Sequence, residues 1–103
     1  MEIRKITGDS FQTEVTEAGG PVLALFCSEG SDLCKAQMPV LEQAAEEACD
    51  VKFCLVSVDD DPELARRFDI TVLPAVLIMN GEKIFRKITG YKSLEYILDC
   101  LEM

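Results

Sequence analysis

An apolar run, Val22-Leu23-Ala24-Leu25-Phe26-Cys27, stands between Gly19-Gly20-Pro21 and a polar loop at Ser28–Asp32. It is apolar on both faces, which predicts a central strand covered from both sides. Elsewhere, period-two and helical patterns alternate along the chain. Residues 2–6 read as a short edge strand. Asp9 reads as the N-cap of a helix running to about Glu17, with Gln12 completing a capping-box pattern. A long helix follows from about Leu33 to Cys49, its buried face marked by Leu41, Ala44, Ala45 and Ala48. Pro39 lies inside it and predicts a kink. Val51–Val58 reads as a second buried strand. Asp61 reads as a helix cap with Pro62 at the first helical position, where a missing N–H does no harm. Ala75–Met79 and Lys83–Ile88 flank Asn80-Gly81, a hairpin signal. Ser93 opens the last helix, whose Leu94, Ile97, Leu98 and Leu101 make an apolar stripe.

The order is therefore β-α-β-α-β-α-β-β-α. The crossovers imply parallel strands, and the terminal hairpin adds an antiparallel pair. The prediction is an α/β fold with a central four- or five-stranded mixed sheet flanked by four helices. The 103 residues suit one domain, 1–103, and are too few for two.

Charge and composition prune the chemistry. The net charge is −9 and the ten basic residues are scattered. Both points argue against nucleic acid or an anionic membrane as partner, where Lys and Arg must neutralise phosphate. No stretch is long enough to span a bilayer. Met1-Glu2-Ile3-Arg4-Lys5 lacks the apolar run of a signal peptide, so a cytoplasmic protein with reduced thiols is expected. The absence of histidine excludes Ser-His-Asp and Cys-His catalysis and His-containing zinc sites. Cys27, Cys34, Cys49, Cys54 and Cys100 contain no C-x-x-C pair, which argues against structural zinc. No glycine loop for a nucleotide is present. Neither a cofactor nor a metal is expected.

What remains is sulfur chemistry. Ser31-Asp32-Leu33-Cys34 sits where a strand meets a helix, and Leu73-Pro74 comes about forty residues later, before another strand. That setting commonly carries Cys-x-x-Cys, the pair that cycles between dithiol and disulfide. Here the first position is serine, which forms no disulfide.

The chain resembles the thioredoxin family over nearly its whole length. The resemblance rests on Ile6-Thr7-Gly8-Asp9-Ser10-Phe11, Pro21-Val22-Leu23, Cys34-Lys35 with Pro39, Val58-Asp59-Asp60-Asp61-Pro62-Glu63-Leu64-Ala65, Ile70-Thr71-Val72-Leu73-Pro74, Asn80-Gly81-Glu82 and Gly90, in that order. It implies a thioredoxin fold and a role in thiol–disulfide exchange and cell redox homeostasis. By that resemblance, Pro74 matches the cis-proline beside the active-site helix, Gly90 the glycine that admits substrate backbone, and Cys34 the resolving cysteine. Leu33 and Leu73 then become apolar walls of a substrate groove. Other family features are absent. Ser31 replaces the attacking cysteine, Gly30 a tryptophan, Leu33 a proline, Leu25 a buried aspartate and Leu55 its lysine partner.

Several readings of the thiols stay open. Cys34 is either an inert buried remnant or a monothiol stabilised by a helix N-terminus and Lys35, with Glu29 and Asp32 opposing. Cys27 is either a small core residue or, because it shares a strand face with Leu25, half of a displaced Cys27–Cys34 pair. Cys54 reads as core, Cys49 as partly exposed and Cys100 as lying just off the apolar stripe; all three read as structural, the alternative for Cys100 being an exposed thiol that cross-links dimers. Ser31 reads as a helix cap rather than a nucleophile. Asp59-Asp60-Asp61 reads as a turn with a cap rather than a metal site.

Two functions compete. One is a thiol–disulfide protein with weak or absent dithiol reductase activity, acting through Cys34, with Ser31 and Cys27 as the other catalytic candidates. The other is a non-catalytic module that holds a peptide or protein in the groove beside Pro74. The expected partner is a protein or peptide thiol or disulfide. A monomer or weak homodimer is expected, the latter through the Gly30 region.

Overall fold

The computed structural model describes residues 3–102. Five strands and four helices follow the predicted order: β1 (Arg4–Ile6), α1 (Gly8–Phe11), β2 (Pro21–Cys27), α2 (Asp32–Glu47), β3 (Lys52–Ser57), α3 (Pro62–Arg67), β4 (Ala75–Asn80), β5 (Lys83–Thr89) and α4 (Leu94–Leu101). Spatial strand order is β1-β3-β2-β4-β5. β3 runs parallel to β1 and β2, whereas β4 is antiparallel to both β2 and β5. β1 is an edge strand, as its pattern predicts; Glu2 lies outside the described residues.

Alternation along β2 divides the core into two layers. Val22, Ala24 and Phe26 pack with Phe11 and Val15 on one side and with Leu64 and Ala65 of α3. Leu23, Leu25 and Cys27 face the opposite side, against Cys34, Leu41, Ala44 and Ala45 of α2 and Ile97 and Cys100 of α4. The whole of β2 from Val22 to Phe26 is closed to solvent. Its rigidity follows from hydrogen bonding on both edges and packing on both faces. That rigidity is passed to Cys27, the last residue of the strand.

Two local predictions need correction. The first helix is capped by Thr7, not Asp9: the Thr7 N–H donates to Ser10 Oγ at 3.0 Å. Starting two residues earlier turns Phe11 into the core, where it is fully buried. From Gln12 to Thr16 the helix continues as a π turn, with the Glu17 N–H bonded to Gln12 O at 2.9 Å. In the last helix, Ile97 and Cys100 are the residues most deeply buried, while Leu94, Leu98 and Leu101 flank them. α4 docks on the i, i+3 line through Ile97 and Cys100, so the structural reading of Cys100 holds and the exposed, cross-linking alternative does not. Cys49 is exposed and Cys54 is buried, as their positions predict.

Candidate functional site

Ser31 caps α2. Its hydroxyl oxygen accepts the Cys34 N–H at 3.2 Å, and Lys35 N–H reaches the Ser31 carbonyl at 3.1 Å. Capping explains serine here on local grounds, because the first N–H groups of a helix have no partner within it. The same contact places Cys34 in the first turn, 2% exposed, on the face of α2 turned toward the sheet.

The loop before the cap is anchored from β3. Asp59 accepts Ser28 Oγ through both carboxylate oxygens at 3.0 Å and the Glu29 N–H at 3.0 Å. Cys27 O accepts the Val58 N–H at 2.9 Å. These bonds hold the end of β2 against the end of β3. The acidic run is thus fully employed within the protein: Asp60 pairs with Lys5 at 3.2 Å, and Asp61 caps α3 through the Leu64 N–H at 3.2 Å. Asp61 also accepts the Gly8 N–H at 2.7 Å, joining α1 to α3.

Cys27 and Cys34 come together. Both belong to the same core layer and both line an open pocket of about 490 Å3, along with Met38 and Leu55. Lys5, Lys35, Glu29, Ser28 and Ser57 complete the lining. Burial, first, and then the adjoining Cys34 thiol through hydrogen bonding and charge, push the Cys27 thiol well above its ordinary value of 9.0. A neutral thiol is therefore the resting state of Cys27. Both cysteines are free.

The pocket floor explains part of that environment. Leu25 and Leu55 are register partners across β2 and β3. Leu25 is fully buried and Leu55 reaches the pocket. By the resemblance these two positions hold a carboxylate and a lysine; here they present only hydrocarbon. The charged residues of the pocket lining are Lys5, Glu29 and Lys35, none of them at these two positions.

The groove residues stand at the same end of the sheet. Leu73–Pro74 is a cis peptide. The Gly90 N–H donates to Pro74 O at 2.8 Å, and Gly90 has φ +86°, a conformation that favours glycine. Pro74 is buried and Leu73 half-buried, packed against both core layers. Leu33 is 53% exposed and Val72 is 50% exposed. The apolar surface is therefore carried mainly by Leu33 and Val72, with Leu73 contributing less than its sequence position suggests.

Gln37 was not singled out from sequence. Its amide oxygen accepts the Lys92 N–H at 2.8 Å, and its amide nitrogen donates to Lys92 O at 3.0 Å. This buried side chain ties α2 to the loop after Gly90. Met38 was also missed. Its signal was available: it lies four residues after Cys34 on a helix, hence on the same face.

Comparison with known proteins agrees with this architecture. The thioredoxin family model matches residues 2–103. The thioredoxin of Mycobacterium tuberculosis is 34% identical over 95 residues, covering 91% of this chain and 82% of that protein. The thioredoxin of Bacillus subtilis is 32% identical over 102 residues, covering 98% of this chain and 96% of its own length. The crystal structure of chloroplastic thioredoxin z has the same fold, with a TM-score of 0.85 at 23% identity, over 96% of this chain and 90% of that one. With the family model matching residues 2–103, this protein belongs to the thioredoxin family.

Proposed function

We propose that this chain is a slow thiol–disulfide protein whose working pair is Cys27 and Cys34, not the two ends of an x-x motif. The observation that carries this reading is the placement of both thiols on one solvent-open pocket. Cys34 at the start of α2 attacks a partner disulfide and forms a mixed disulfide, and the partner's second sulfur leaves as a thiolate that takes a proton. Cys27 then gives up its proton and attacks Cys34 Sγ. The Cys34–partner bond breaks, the Cys27–Cys34 bond forms, and the partner leaves fully reduced. Two electrons and two protons pass from the pair to the partner. A dithiol donor of the cell reverses the change.

Slowness follows from the surroundings. The thiolate is the nucleophile, and Cys27 is held protonated by burial and by Cys34. At the paired positions Leu25 and Leu55 there is no carboxylate to relay its proton. Turnover well below that of a Cys-x-x-Cys protein is the consequence. The partner is a protein or peptide, held in the groove beside Pro74 with Leu33 and Val72 as exposed apolar contacts. The five free cysteines suit a reducing, cytoplasmic setting.

Mild oxidation with diamide followed by peptide mapping tests the pair directly: a Cys27–Cys34 link is expected. With Cys27→Ser, the mixed disulfide at Cys34 should persist and be isolable. No Cys27–Cys34 peptide, with the thiols titrating as free, would refute the pair. The exposed Leu33 and Val72 favour a second reading, a groove that binds without turnover. Equal peptide affinity in wild type and a Cys27→Ser/Cys34→Ser variant, with no reductase activity in either, would select it.

A further inference from the structure

Three sulfur-bearing residues, Cys27, Cys34 and Met38, line the pocket, and the redox reading uses only two. Cys34 and Met38 are four residues apart on α2, so their side chains share a face. Cys27 reaches the same pocket from the end of β2. Cys27 and Cys34 also pack in the same core layer. Met38 is half-buried, packed against the layer that contains both cysteines. Among the described residues no three His, Cys, Asp or Glu side chains gather as a site for a harder cation. A two-thiol, one-thioether set is a different matter, because soft sulfur donors select soft ions.

We propose that Cys27, Cys34 and Met38 form a binding site for a soft monovalent cation, Cu(I). Binding exchanges the two thiol protons for one copper ion. Two Cu–S bonds form to Cys27 and Cys34, both protons go to solvent, and copper stays Cu(I), so no electrons move. The Met38 thioether adds a third, neutral donor. The dithiolate complex carries one negative charge; Lys35 on the same pocket offsets it, Glu29 opposes it, and Lys5 is shared with Asp60. Because both thiols must lose their protons, binding strengthens as pH rises. The site rests on the closeness of Cys27 and Cys34, which the proposed redox pair also uses, but not on any electron transfer.

The test is competition for Cu(I) supplied as its bicinchoninate complex, under anaerobic reducing conditions, with the full-length protein. One equivalent should transfer per chain. Cys27→Ala and Cys34→Ala should each abolish transfer, Met38→Leu should weaken it at least tenfold, and Cys49→Ser should leave it unchanged. Far-UV circular dichroism on each variant guards against misfolding. Met38→Leu keeps the core volume, so it tests the third donor even if a cysteine variant unfolds. No transfer by wild type, transfer that survives loss of Cys27 or Cys34, no weakening in Met38→Leu, or loss of transfer in Cys49→Ser would each overturn the site. Copper binding without a Cys27–Cys34 disulfide on oxidation would defeat the redox pair alone. The disulfide without copper binding would defeat the metal site alone.

Discussion

Replacing Leu25 by aspartate puts a carboxyl at the position where the family resemblance implies one. In this chain the change should be strongly destabilising. Leu25 is fully buried, with Leu55 and Val76 as its register partners on either side. Losing its packing should remove about 2–3 kcal/mol at any pH. An ionised carboxylate adds an effective penalty of several kcal/mol when no partner compensates it. The sum, about 5 kcal/mol or more at neutral pH, is comparable with the ~5–15 kcal/mol that holds a typical domain together.

The two parts separate by pH. Burial in hydrocarbon raises the folded pKa of the introduced carboxyl above its unfolded value of about 3.9. Its penalty is therefore absent below about pH 4 and grows as pH rises toward the folded pKa, at about 1.4 kcal/mol per pH unit. Urea denaturation of Leu25→Asp and Leu25→Asn at pH 4 and pH 7 measures this. The Asn variant carries the packing loss without the charge. Leu25→Asp should match it at pH 4 and fall several kcal/mol below it at pH 7. Leu25→Asp/Leu55→Lys should recover part of the deficit, with a coupling above about 1 kcal/mol. Equal stability of the Asp and Asn variants at both pH values would refute the premise that the pocket floor is dry.

Three further outcomes are expected. Ser31→Cys should raise disulfide-reductase turnover at least tenfold in an insulin precipitation assay, while weakening the Cys34 N–H cap by about 1 kcal/mol in thermal melts; no gain would show that something other than the missing nucleophile limits the site. Gly8→Ala should destabilise by about 1–3 kcal/mol in urea, because a Cβ there overlaps the Asp61 carboxylate that accepts the Gly8 N–H; an unchanged midpoint would count against that joint. Stability should decline above pH 9, since the Cys27 and Cys54 thiols are both raised from 9.0, chiefly by burial, and only the unfolded chain releases their protons there. The slope should approach about 1.4 kcal/mol per pH unit from Cys27, with Cys54 adding in the same direction, and Cys27→Ala with Cys54→Ala should flatten it.

What the sequence made legible was local. Ser31, Asp61 and Ser93 cap helices through N–H groups three residues ahead, and each is read correctly from its own segment. The Asn80-Gly81 hairpin and the two-sided burial of β2 are also local signals. The meeting of Cys27 with Cys34 needed one more step, strand parity, and parity is stiff over so short a distance. The misreadings came where two local solutions compete. Thr7-x-x-Ser10 and Asp9-x-x-Gln12 are both plausible starts, and burial of Phe11 decides between them. Cys100 stood just outside a good stripe, and only the docking of α4 on α2 sets the rotation that buries it. Asp59 and Gln37 were invisible for a different reason. Their hydrogen bonds reach residues 31 and 55 positions away, and nothing in either segment announces the partner.

The substitutions around the thiols are linked by one physical consequence. A carboxylate at Leu25 would draw off a proton and help a thiolate form. Leu25, buried behind the pocket, and Leu55, which lines it, instead favour neutral groups beside them. A neutral Cys27 fits that surface, and its raised pKa is the result. Ser31 follows the same logic from the helix side, supplying the cap without a second thiol. Cys27, held neutral in this way, keeps its proton until something with strong affinity for sulfur takes its place. A partner disulfide does so through covalent exchange at Cys34, and a soft metal ion does so by binding both thiols at once. The hydrocarbon at Leu25 and Leu55 that would slow the proposed exchange would also favour sulfur as donor in the proposed metal site.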